Sequence, residues 1–215
     1  MLNADLHIHT QYSMDCDTSL DKIIQRCLKR GINCIAIADH GTIEGALKVY
    51  EAAPFKVIIA EEILTPHGEI MGMFLKETIP SGFSIGETIS RIRAQDALVC
   101  IPHPFDRIRH SGLDGNKINE IVAQIDVIEV LNSRSLTTHP LDKAREFAEV
   151  HGIAQSAGSD AHTIHEIGNA FVEMPEFNGK DDFVQALSKG KLCGGRTNPF
   201  VHFISAWNKL RKHKK

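Results

Sequence analysis

The 215-residue chain predicts an α/β fold, an irregular barrel with about seven main strands. Three observations carry this. Short β-branched runs alternate with longer segments of helical period, as repeated βα units on a parallel sheet require. Two of the runs are joined only by Thr65-Pro66-His67-Gly68, which suits a hairpin and makes the barrel irregular. Residues of metal-ligand type fall at or just after the ends of the runs, where a parallel α/β fold gathers them on one rim.

In chain order, strands are expected near residues 4 to 9, 33 to 39, 56 to 63, 69 to 75, 97 to 102, 126 to 131, 153 to 158 and 169 to 174. The clearest helix follows the first strand. Thr18 can cap it, Leu20, Ile23, Ile24, Cys27 and Leu28 form one apolar face, and Gly31 stops it. Further helices are expected at about 42 to 52, 84 to 95, 115 to 124, 139 to 151 and 180 to 189. Residues 1–215 read as one domain with a basic tail over about 205–215, a frayed and solvated helix end.

The formal net charge of -3 offers no global attraction to nucleic acid, so an anionic substrate must be captured locally. The five cysteines form an odd set without CxxC spacing, and Cys27, Cys34 and Cys100 lie in apolar segments. They are expected to be reduced core residues of a cytoplasmic protein. No stretch reaches the roughly 18 apolar residues of a membrane span, and no leader pattern opens the chain. A membrane role is not expected, and no obligate protein partner is evident.

The chemistry lies in five motifs. His7 and His9 are two residues apart on a strand, so both imidazoles face one side. Asp15 lies on the loop that follows, with Asp17 as its competitor. The buried run Cys34-Ile35-Ala36-Ile37-Ala38 ends in Asp39-His40, and Val57-Ile58-Ile59-Ala60 ends in Glu61-Glu62, of which Glu62 is favoured as a bridging carboxylate. His103 stands between two prolines that stiffen its loop, and Asp160 and His162 follow a run of small residues that lets the backbone pass close to a crowded centre.

In this order, these residues resemble the PHP family, named for polymerase and histidinol phosphatase, and the likeness covers nearly all of residues 3 to 174. The resemblance implies a distorted TIM-like barrel and two or three divalent ions, manganese, iron or zinc. His7, His9, Glu62 and Asp160 would hold one ion, and Asp15, His40 and His162 a second. A third would use Glu62, a further histidine and His103, but Met71 stands where that imidazole is expected, leaving His67 on the preceding turn as a substitute. Glu62, His103 and Asp160 take catalytic as well as ligand roles.

The implied activity is hydrolysis of a small phosphorylated metabolite, nucleotide or short oligonucleotide by a metal-bridging hydroxide. Phosphate capture is assigned to Arg107 and Arg134, with Arg109, Arg196 and His202 as weaker rivals. Two other classes fit part of the pattern. One is a metal-dependent amidohydrolase and the other a non-catalytic, metal-stabilised module serving a partner. Asp15 and the Ala38-Asp39-His40 element favour phosphoester chemistry over the first, and the complete ligand set speaks against the second.

Overall fold

The computed structural model describes residues 1–106 and 111–212, without the side chains of His202 and Lys212. Its strands are β1 (Leu2–Ile8), β2 (Cys34–His40), β3 (Lys56–Thr65), β4 (Gly68–Met73), β5 (Leu98–Ile101), β6 (Val127–Asn132), β7 (Ala154–Gly158), β8 (Ala170–Met174) and β9 (Lys191–Gly194). The helices are α1 (Leu20–Arg30), α2 (Glu44–Ala52), α3 (Ile85–Ala94), α4 (Gly115–Glu120), α5 (His139–His151), α6 (Lys180–Ser188) and α7 (Val201–Lys212).

All the strands join one sheet in the order β7-β6-β5-β4-β3-β2-β1-β8-β9. β1, β2 and β3 run parallel, as do β5, β6 and β7, while β4 runs against both neighbours. The short turn at Pro66-His67 therefore makes a hairpin, because a parallel crossover needs about a dozen residues. Beyond β7 the chain returns to β1: Ile8 bridges Ala161 in parallel, and the His9 N–H donates to the Ala161 carbonyl at 3.0 Å. The sheet is thus nearly closed at the rim that carries the motifs.

The sheet has nine strands where about seven were expected. β8 adds antiparallel to the start of β1, and β9 adds to β8. β9 escaped notice because its four residues are exposed or half-buried and show no apolar alternation. At the entry to α1 the expected cap is also shifted by one: Ser19 occupies the N-cap, and the Thr18 hydroxyl instead donates to the His162 carbonyl at 3.4 Å.

The barrel interior is filled by small and flexible residues, among them Ala36, Ala38, Ala60, Met71 and Met73, packed with Phe183 and Leu187 of α6. Phe74, Phe177 and Phe183 meet edge to face with centroids 5.0 to 6.3 Å apart, which plugs the end opposite the motif rim. α1 and α2 cover one stretch of the outer face through Ile23, Cys27, Ala46 and Val49. α3, α4 and α5 cover another through Ile89, Ile92, Ile118, Ala144 and Ala148.

The region of the expected basic tail belongs to α7 as far as Lys212. This helix turns Ser205 and Asn208 inward and leaves Phe203, Trp207 and Leu210 exposed, and Arg211 pairs with Asp17 on the loop after β1. Among the described residues, no helix is long and apolar enough to cross a membrane. None of the five cysteines forms a disulfide, and Cys16, Cys27, Cys34 and Cys100 are buried.

One buried acid outside the rim has a measurable consequence. Glu61, on β3, accepts a hydrogen bond from the Ile79 N–H at 2.9 Å, and burial pushes its pKa up to about 7. The folded chain therefore keeps a proton there between roughly pH 4.5 and pH 7 that the unfolded chain has lost, so stability falls as pH rises through that window. Calorimetry of Glu61→Gln across pH 5 to 8 should show that this pH dependence, about 3 kcal/mol in total, has flattened.

Candidate metal centre

β1, β2, β3, β5 and β7 all deliver side chains to one rim because each ends there. Within β1 the i, i+2 spacing aims two rings the same way, and the Nε2 atoms of His7 and His9 lie 3.1 Å apart. Glu62 stands at the middle. Its Oε2 lies 3.4 Å from His7 Nε2, 3.5 Å from His9 Nε2 and 3.5 Å from His40 Nδ1, while Oε1 lies 2.7 Å from His103 Nε2. A single carboxylate thereby touches four imidazoles.

Asp160 faces the same centre, with Oδ1 3.3 Å from His9 Nε2 and 3.8 Å from His7 Nε2. Asp15 closes the outer side, its Oδ2 3.4 Å from His40 Nε2 and 3.2 Å from His162 Nε2. These side chains form four groups with ligand atoms within 4.8 Å of one another: His9-Asp15-His40-His162, His7-Glu62-His103, His7-His9-Asp160 and His40-Glu62-Glu69.

Glu69 is the member that the sequence reading missed. It was sought at Met71, which is buried in the barrel interior, or at His67, which is exposed on the turn. β4 starts at the rim, so Glu69 shares a face with Met71 but sits one step nearer the centre. Its oxygens lie 3.6 Å from His40 Nδ1 and 3.7 Å from His103 Nε2. In Gly68-Glu69-Ile70-Met71 the only available hint is an acid two residues before the expected position, and it looks like any solvated acid.

The electrostatics fit divalent cations. Burial and the nearby charge of Glu62 push Glu69 up to about 7. Burial also works to raise Glu62, but His7, His40 and His103 together outweigh it and hold the group well below the usual carboxylate range. Burial and the neighbouring His162 push His9 down to about 4, so its ring stays neutral and keeps a lone pair for a ligand. Five imidazoles and four carboxylates make a mixed nitrogen and oxygen donor set of the kind that accepts manganese, iron or zinc.

The backbone is bent to present these groups. His103 (φ 30°) and Asp160 (φ 53°) are in the left-handed region, which is costly for residues with a Cβ. Buried acids behind the rim hold it in place. Asp5 accepts from the Ser159 N–H at 2.8 Å, the Ser159 hydroxyl at 2.6 Å and the Gly168 N–H at 2.9 Å, tying β1 to the loop after β7. Asp39 accepts from the Thr10 N–H and hydroxyl, both at 2.6 Å. Cys16 Sγ donates to the carbonyls of His9 and His162.

Of the arginines assigned to phosphate, Arg107 lies outside the described residues, as does its rival Arg109. Arg134 is placed otherwise than expected for a phosphate clamp. It is buried, its Nη1 is 2.6 Å from His162 Nδ1, its Nη2 donates to Ser205 Oγ at 2.5 Å and to the Val201 carbonyl at 3.3 Å, and its Nε is 3.2 Å from Glu166. The guanidinium is thus engaged in anchoring α7 beside His162. Arg196 is on the surface, donating to the Leu136 carbonyl at 2.6 Å. The side chain of His202 lies outside the described residues.

A nearly closed barrel-like sheet of mixed parallel and antiparallel strands, with histidines and carboxylates gathered at one rim, defines an α/β barrel with a candidate metal site, and comparisons with known proteins narrow it. The PHP domain model matches residues 5–70, which hold His7, His9, Asp15, His40, Glu62 and Glu69. The PHP-associated model matches residues 138–192, which hold Asp160 and His162. The chain belongs to the PHP family.

Among its relatives, the uncharacterized protein MJ0417 of Methanocaldococcus jannaschii is 37% identical over 181 residues, 82% of this chain and 72% of that protein. A two-domain protein of Bacteroides vulgatus, described as containing a predicted PHP-like metal-dependent phosphoesterase, shares the fold with a TM-score of 0.72 at 16% identity, over 90% of this chain. The chain spans 65% of that protein's length. A protein of Chromobacterium violaceum described as an amidohydrolase, with bound sulfate and no metal, superposes with a TM-score of 0.66 at 15% identity, over 95% of this chain and 96% of its own.

Proposed function

We propose that this protein is a metal-dependent phosphoesterase acting on a small phosphorylated metabolite, a nucleotide or a short oligonucleotide. The observation that carries the reading is Glu62, whose two oxygens face four imidazoles that between them belong to all four ligand groups. A carboxylate so placed suits adjacent cations. When bound, such cations polarise a phosphoryl oxygen and lower the pKa of water.

The chain's own part is placement. His7, His9 and Asp160 would hold one ion, Asp15, His40 and His162 a second, and Glu62 and Glu69 with His103 a third, which removes the need for a histidine at Met71. The left-handed turns at His103 and Asp160 and the buried anchors Asp5 and Asp39 keep these donors fixed before a substrate arrives. Arg107, four residues after His103, is assigned the substrate phosphate.

Purified protein stripped with a chelator and reloaded with manganese tests this. On a panel of a sugar phosphate, a mononucleotide, a bisphosphonucleotide, a short oligonucleotide and a carboxamide, one of the phosphoesters should be hydrolysed. Stripping should lower that turnover by on the order of 10³, and manganese should restore it. Turnover of the carboxamide with none of any phosphoester would overturn the reading in favour of amide chemistry.

A further inference from the structure

We propose that Glu129, on β6, is a positioning residue that sets three arms of the metal centre at once, so that its loss weakens two ligand groups together. The proposal rests on the metal-centre reading above but not on the identity of the substrate. Glu129 is 2% exposed and lies behind the ligands. It lies in the strand expected near residues 126 to 131, and among the described residues no group of ligand atoms includes it.

Its two oxygens divide the work. Oε1 lies 3.1 Å from His7 Nδ1, and Oε2 accepts from the His103 N–H at 2.7 Å and from Asn132 Nδ2 at 2.9 Å. Asn132 Nδ2 is also 3.2 Å from Asp160 Oδ2. The carboxylate therefore reaches the ring of His7, the left-handed backbone of His103 and, through one amide, the side chain of Asp160.

The consequence for His7 follows from imidazole chemistry. With its hydrogen on Nδ1 and directed at Glu129, the ring turns the Nε2 lone pair toward Glu62 and Asp160, the arrangement that a ligating histidine needs. His7 belongs both to the group with Glu62 and His103 and to the group with His9 and Asp160. Glu129 touches members of both.

An acceptor-only group is required here because three donors converge on it. Glutamine has the same shape but offers one acceptor oxygen and an NH2 group. If its oxygen faces His7, the NH2 meets the His103 N–H and the Asn132 amide, donor against donor. If its NH2 faces His7, the ring must move its hydrogen to Nε2 and lose the ligating lone pair. The first placement breaks two arms and the second breaks the arm to His7.

Manganese and zinc binding by wild type and Glu129→Gln, measured against a chromogenic chelator with stoichiometry by elemental analysis, tests the proposal. The variant should lose about 10- to 100-fold in affinity, with at least two ions weakened in parallel and the metal-free melting temperature little changed. Wild-type affinity and stoichiometry in Glu129→Gln would overturn it. Wild type binding no metal would instead overturn the metal-centre reading. Should the variant fail to fold, the 15N shifts of His7 in zinc-loaded wild type decide: a hydrogen on Nδ1 supports the proposal, and one on Nε2 overturns it.

Discussion

Replacing Gly158 with alanine should prevent the barrel from closing at its metal rim. A Cβ at this last residue of β7 would lie 2.3 Å from the Cβ of His7, 2.8 Å from the His7 backbone nitrogen and 2.9 Å from Glu129 Oε1. The first two are not the ends of flexible side chains, so relief requires β1 and β7 to part. Overpacking of this kind costs about 3 kcal/mol or more when the backbone must move. Separation of the strands also moves His7 away from Asp160. Thermal unfolding should fall by several degrees and metal binding should be lost with it. A variant that melts and binds manganese like wild type would show that the contact is slack.

His9→Ala and Asp160→Ala should each remove metal-dependent turnover while leaving a folded chain. His9 belongs to two ligand groups, with Asp15, His40 and His162 on one side and with His7 and Asp160 on the other, so its loss strips a donor from both. Asp160 is the carboxylate that answers His7 and His9 within their group. Neither side chain belongs to the three apolar clusters that support the barrel, so circular dichroism should stay close to wild type. A fall in kcat/KM of at least 10³ corresponds to about 4 kcal/mol of lost transition-state stabilisation. Full phosphatase activity in both variants would remove the centre from the reaction.

The parts of this architecture that were legible share a physical reason: they repeat a period. The strand runs, the apolar stripe of α1, the Gly31 stop and the His7/His9 pair all follow spacings that local geometry imposes. Glu69, Glu129 and Asp5 were not legible as site residues, because a buried acid looks in sequence like any solvated one. What distinguishes them is the donors they meet: for Asp5, the Ser159 and Gly168 amides more than 150 positions along. The buried contacts of Arg134 were not legible for a similar reason. Its surroundings are set by Ser205 and Val201 in α7, which no local pattern around residue 134 reveals.

The return of the chain to β1 beyond β7 also bears on how the molecule is made. His7 and His9 leave the ribosome about 150 residues ahead of Asp160 and His162, so the nascent chain carries unsatisfied imidazoles through most of its synthesis. Contacts of such long sequence separation form late and slowly. The donor set is therefore complete only when the loop at Ala161 docks against Ile8, so the metal site is assembled after the strands that carry most of it.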